Sequence, residues 1–208
     1  MAAPTSPVDI CNLALDHVGD LPISSVEVPT DARGEVMARW YDQTRRSVLR
    51  EYCWNFAQKY TTLARTGDGE GPHDDKYLMP ADCVRLNVVG TDIYDRIEDY
   101  DISGRYIHTS AGASLAIRYN RDIDQVSQMD VLFINILAMR LAIKIAYKMS
   151  KKKSIVEMLE GLLSREEGKA ISVDGQERPP RRVQRSKYLE ARRGGGGWTG
   201  GNRYYSIT

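Results

Sequence analysis

The sequence predicts an α+β protein: a helical bundle of two N-terminal and two C-terminal helices, an inserted antiparallel β-rich region, and an extended C-terminal arm. Three observations predict it. Apolar residues recur at helical spacing on both sides of a central stretch, alternation replaces that period from Tyr60 to Asn120, and composition breaks near Asp174. From Asp174 on, eight basic residues face three acidic ones. The first 173 residues hold 21 basic against 25 acidic, so a −4 body and a +5 tail are concealed in a chain of formal charge +1. The tail also holds seven of the 17 glycines. The predicted divisions are 1–57, 58–122, 123–173 and 174–208.

The first helix opens at Ser6-Pro7-Val8-Asp9, where Ser6 caps, Pro7 suits the first turn and Asp9 meets free N–H groups. Ile10, Cys11, Ala14, Leu15 and Val18 form its buried stripe, and Gly19 ends it. Asp20 to Pro29 is a loop. A second helix is expected from Asp31 to Cys53, capped by Thr30, with Val36, Trp40, Val48, Leu49 and Tyr52 apolar. Arg33, Arg39, Arg45, Arg46 and Arg50 give it a basic face, either solvated or in contact with a partner. Trp54 and Phe56 then lock packing at its end.

Four runs read as half-buried strands: 60–64, 84–88, 105–109 and 115–119. Thr66 to Pro72, Ser103-Gly104 and Ser110 to Ser114 divide them as loops and turns, giving an antiparallel sheet of roughly four to six strands. The helical period returns from Val126 to Met149, apolar on nearly every side and therefore central. Arg140, Lys144 and Lys148, four apart, form a basic stripe on it. They either snorkel to solvent or make an ion pair or phosphate contact at an inter-subunit surface or channel. Ser154-Ile155-Val156-Glu157 offers a capping box for a last helix ending near Gly168 or Ala170.

Chemistry is sparse. With 42% hydrophobic and 27% charged residues, the chain is an ordinary globular one and neither disordered nor a disulfide scaffold. Cys11, Cys53 and Cys83 are odd in number and far apart, as expected of reduced thiols in a cytosolic setting. No signal peptide or bilayer span is expected. His17 falls at a helix C-terminus, and His73 and His108 are expected to be solvated. The sequence contains no GxSxG, HExxH, P-loop or GxGxxG pattern. Neither catalytic residues nor cofactor or metal ligands are expected. Asp92, Asp95, Glu98, Asp99 and Asp101 form an acidic stretch between strands, and Glu51 lies beside aromatic residues. In the tail, Gly194 to Gly197 are a spacer before Trp198, Arg203, Tyr204 and Tyr205; these residues and the earlier Tyr188 and Leu189 are candidate docking anchors.

Four segments resemble the head-to-tail adaptors of short-tailed phages, the tail tubular protein A and tail accessory factor type. They are Ile10 to Leu15 with Gly19 and Pro22 to Ser25; Ala32-Arg33 through Tyr41, Arg45, Val48 to Arg50 and Trp54 to Ala57; Tyr77 to Arg85; and Gly104-Arg105 with Ile107, Leu115, Arg118-Tyr119 and the helix from Phe133 to Ala146. Cys53 departs from the Pro that members often carry before the Trp. The resemblance implies a non-enzymatic virion protein made in the host cytoplasm, forming a ring of twelve copies between portal and tail nozzle, through which DNA passes without sequence-specific binding. It also implies that the arm docks on the portal protein and orders on assembly. At about 3.3 Å per residue, residues 175–208 span at most about 110 Å. Two other readings compete: a tail-associated cell-wall glycan hydrolase, and a nucleic-acid-binding module using the basic tail.

Overall fold

The structure, a computed structural model, describes residues 4–90, 96–150 and 153–177. Met1–Gly175 form one compact unit, and Gln176 begins a second. Four helices and six strands make a mixed α+β fold, with α1 over Pro7–Val18, α2 over Ala32–Glu51, α3 over Val131–Ser150 and α4 over Lys153–Gln176.

Helix α1 forms as its sequence dictates. Ser6 accepts from the Asp9 amide, Asp9 accepts from the Ser6 amide in return, and Gly19 takes the left-handed conformation at φ 73° that closes the helix. All five predicted stripe residues are buried. Asn12 pins the following loop by accepting from the Ile23 amide and donating to its carbonyl. In α2 the cap is Asp31 rather than Thr30: its carboxylate accepts from the Gly34 amide at 2.7 Å.

The end of α2 explains how helix and sheet are joined. A helix leaves its last four carbonyls without partners, and no glycine cap follows Glu51. Each of the four is instead met by a side chain from elsewhere. Trp54 donates to Val48, Asn120 to Leu49, and Arg85 to both Arg50 and Glu51. Asn120 also reaches the Tyr52 carbonyl at 2.6 Å. The aromatic ring of Trp54 packs edge-on to Tyr52 and Phe133.

The inserted sheet consists of β1 (Gln58–Asp68), β2 (Asp75–Leu78), β3 (Cys83–Val89), β4 (Asp101–Ser103), β5 (Tyr106–Thr109) and β6 (Ser114–Arg121). Its order is β3-β6-β1-β2-β5-β4 and every pairing is antiparallel. The four predicted runs fall within β1, β3, β5 and β6, although Arg105 lies in the turn before β5. Strands β2 and β4 escape the alternation signal: buried Asp75 breaks the apolar pattern of β2, and β4 has only three residues. The polar 66–72 segment is part strand: β1 continues to Asp68, with Gly67 opposite Lys76. Tyr77, Val89, Ile107, Leu115, Ile117 and Tyr119 share one core cluster although β3 and β5 lie far apart in the strand order. The sheet must therefore curl around these side chains.

The larger core is helical. Phe133, Leu137, Leu141, Ala142, Ile145 and Ala146 of α3 are fully buried among residues of α1 and α2, as the all-round apolar pattern requires. The α-helix starts at Val131, not Val126, because residues 126–128 form a separate 3-10 turn. Asp130 then accepts from the Leu132 amide at 2.7 Å. Helix α4 overruns its predicted end by six or more residues and passes through Gly168 without a stop. An interior glycine costs roughly 1 kcal/mol. That cost is offset by burial of Ala170 and by Asp174, which accepts from the Asn55 amide at 2.9 Å. Residues 174–176 thus belong to a helix and not to the arm.

Two arginine and histidine expectations are corrected. Arg45 is not on a solvated face: it is 2% exposed, paired with Asp122 and Asp42 and donating to the Ile123 carbonyl. A guanidinium can be buried only when its donors are met. His73 and His108, expected in solvent, are also buried. His73 Nε2 lies 3.2 Å from Asp101, and the Glu70 amide donates to His108 Nδ1, because the 70–74 loop folds over the β2-β5 surface.

A candidate basic interface at the helix–sheet junction

Where α2 meets the sheet, a groove of about 610 Å³ opens between Arg50, Arg85 and Arg105, with Met79, Pro80, Val84 and Ile102 among its walls. Each arginine is placed by a different element. Arg50 lies in the last turn of α2, where a cation also suits the negative helix terminus. Arg85 projects from β3, held by the two helix carbonyls it caps. Arg105 sits in the tight turn joining β4 and β5, which Gly104 permits by adopting φ 59°.

The electrostatics of this groove differ from those of its neighbour. A second depression of about 510 Å³ shares Arg50, Cys83 and Val84 but contains Arg46, Asp82 and Asp122. There the charges cancel, because Arg46 pairs with Asp122 at 2.9 Å and Asp82 pairs with Lys59 at 3.1 Å. In the first groove the three guanidiniums donate only to neutral backbone carbonyls: Arg50 to Val84 at 2.9 Å, Arg85 to Arg50 and Glu51, and Arg105 to Met79 at 3.1 Å. Among the described residues none of the three forms an ion pair. Each guanidinium has five N–H donors, so most remain for an outside acceptor.

Cys83 and Asp82 report this field. Burial pushes the Cys83 thiol up, Asp82 adds to the rise, and Arg50 and Arg105 oppose it. Burial likewise pushes Asp82 up, but hydrogen bonds from Tyr119 and Lys59 outweigh it and hold the carboxyl below the usual carboxylate range. Cys11, buried among apolar side chains, is pushed up to about 12 and is inert as a nucleophile.

Of the residues singled out by sequence, Tyr188, Leu189, Trp198, Arg203, Tyr204 and Tyr205 lie outside the described residues, as do Asp92 and Asp95. Arg140 pairs with both Glu51 and Glu167, tying α2, α3 and α4 together. Desolvation works against the Arg140 cation, but the two carboxylates prevail and raise its pKa. Lys144 lies 4.5 Å from the Trp40 ring centroid, a cation–π contact, and Lys148 is exposed. Glu51 is therefore a salt-bridge partner. Glu98 pairs with Arg96, while Asp99 and Asp101 are exposed. Among the described residues no group of three metal-ligating side chains occurs, and no helix is long and apolar enough to cross a membrane.

Sequence reasoning did not assign Arg85 and Arg105 to a site. A lone arginine in a strand and another after a turn glycine carry no signal until the chain folds. No known family model matches the chain, and no curated protein is found similar to it.

Proposed function

We propose that this chain is the subunit of a ring-shaped head-to-tail adaptor of a short-tailed phage, seated between portal and tail nozzle, with DNA passing through the centre of the ring. The observation that carries this reading is a division of charge on one body. An unneutralised basic groove and an exposed acidic segment around Glu98, Asp99 and Asp101 are the complementary surfaces that identical subunits need to bind side by side. The motifs from Ile10 to Ala146 support the same assignment.

In this reading the four helices form a bundle, and twelve copies close the ring. Met158, Leu162 and Val173 leave an exposed apolar flank on α4 that adds to the lateral contact. Arg140, Lys144 and Lys148 belong to the channel or to subunit contacts, Arg140 through its carboxylate partners. The arm docks on the portal through Tyr188, Leu189, Trp198, Arg203, Tyr204 and Tyr205. Electron microscopy of the chain combined with its portal protein tests the proposal: a closed ring at the portal's outer end is expected, and unattached protomers would overturn it. Because α4 continues to Gln176, the arm is best removed at 178–208. That truncation should leave a folded body that no longer attaches. Salt-sensitive duplex DNA affinity lost with the arm would favour a nucleic-acid-binding module instead.

A further inference from the structure

We propose that the groove lined by Arg50, Arg85 and Arg105 receives the acidic 98–101 segment of a neighbouring copy of this chain. The inference rests on the ring reading and deepens it by naming both halves of the subunit contact.

The groove has the character of a binding surface for a carboxylate-rich peptide. Its three cations come from three separate elements, and none has an ionic partner among the described residues. Of the other embedded arginines, Arg45 and Arg140 are met by carboxylates, and Arg118 lies over the Tyr60 ring and donates to its hydroxyl, whereas the groove has no aromatic ring among its walls. Charge left open beside an apolar wall favours an acidic partner that also covers the wall. Ile102, 52% exposed, supplies such a wall, and excluding water there strengthens the ionic contacts at the centre.

The acidic segment is the matching surface, and its placement excludes self-occupancy by the same hairpin. Successive side chains in a strand point to opposite faces. In β4, Ile102 lines the groove, so Asp101 projects from the other face, where its carboxylate meets His73. Glu98 and Asp99 precede it, both exposed, against the single cation Arg96. Because Asp101 and the groove lie on opposite faces of β4, a contact between them joins copies head to tail, the arrangement that gives rings when its rotation closes.

A charge exchange between two variants tests this, read by sedimentation velocity at low salt. Arg105 and the acidic pair are exposed, so Arg105→Glu in one protein and Glu98→Lys with Asp99→Lys in the other should leave the melting temperature nearly unchanged. Each variant alone weakens every contact, Arg105→Glu by setting an acid beside the acidic segment and cutting the groove's charge from three to one, the lysine pair by opposing all three arginines, and each should stay monomeric where the wild type assembles. Mixed in equal amounts they restore attraction at both kinds of contact, lysine against the new glutamate and native against native, and should assemble. Should Arg105→Glu disturb the fold, the lysine variant alone and its loss of assembly still decide. Assembly of both variants at wild-type strength would overturn the groove proposal and leave the ring reading standing. So would failure of the mixture, or unchanged assembly together with loss of duplex DNA binding, which would make the groove a phosphate site. A wild type that stays monomeric would also overturn it, and the ring reading would then stand or fall on the portal images.

Discussion

The arginines of the helical core and those of the junction groove lead opposite lives. Arg45 and Arg140 are closed within the chain, each held by two carboxylates. Arg50, Arg85 and Arg105 lean on peptide carbonyls and keep their charge. The difference teaches that the ion-paired core arginines fix the fold, whereas the junction arginines do so only through hydrogen bonds that leave them electrostatically open. Mutation should separate the two groups into stability effects and assembly effects.

The largest effect is expected at Arg45. Arg45→Ala leaves the Ile123 carbonyl unmet beside a buried void, while Asp122 keeps Arg46, and urea unfolding should show a loss of about 2–4 kcal/mol. A loss below 1 kcal/mol would mean that this arginine is no more structural than those of the groove. Arg85 stands between the groups, because it caps α2 and lines the groove. Arg85→Ala hands two exposed helix carbonyls to water and should cost about 1–2 kcal/mol, with assembly also weakened. Asp174→Ala, on α4, removes an acceptor for the Asn55 amide. About 1–2 kcal/mol and faster amide exchange in the last turns of α4 are expected.

Acid sharpens the contrast at Asp82, on the rim of the neighbouring, neutralised depression. Its folded pKa lies below the ordinary 3.8, so its contribution is complete above that value and is lost as pH falls through the folded pKa. Asp82→Asn should be less stable than wild type at pH 7, by no more than about 1 kcal/mol since the carboxylate is partly exposed. The gap should close below pH 4; a gap constant with pH would exclude the carboxylate's charge as its cause. The smallest stability effect belongs to Arg105→Glu, within about 0.5 kcal/mol, although the same change should abolish self-association.

Much of the fold was legible. Ser6, Asp9 and Gly19 marked α1, and its apolar stripe matched the buried set residue for residue. Alternation located β1, β3, β5 and β6. What escaped notice had weak local signals. Strand β4 is too short to show a period, β2 buries the charged Asp75 where alternation expects an apolar residue, and α4 passes a glycine that usually ends a helix because side chains far away hold it. The site was less legible still, since Arg50, Arg85 and Arg105 come from a helix end, a strand and a turn.

By itself the sequence determined the placing of a sheet between two helical pairs, the central position of α3 and the break in charge near Asp174, because periodicity, caps and composition act between near neighbours. The tertiary structure decided which charges are spent. Arg45 and Arg50 lie five residues apart on one helix. The first finds Asp122, 77 residues away, while the second finds only the Val84 carbonyl. An ion pair needs a carboxylate within a few ångströms, and only the folded chain brings one there.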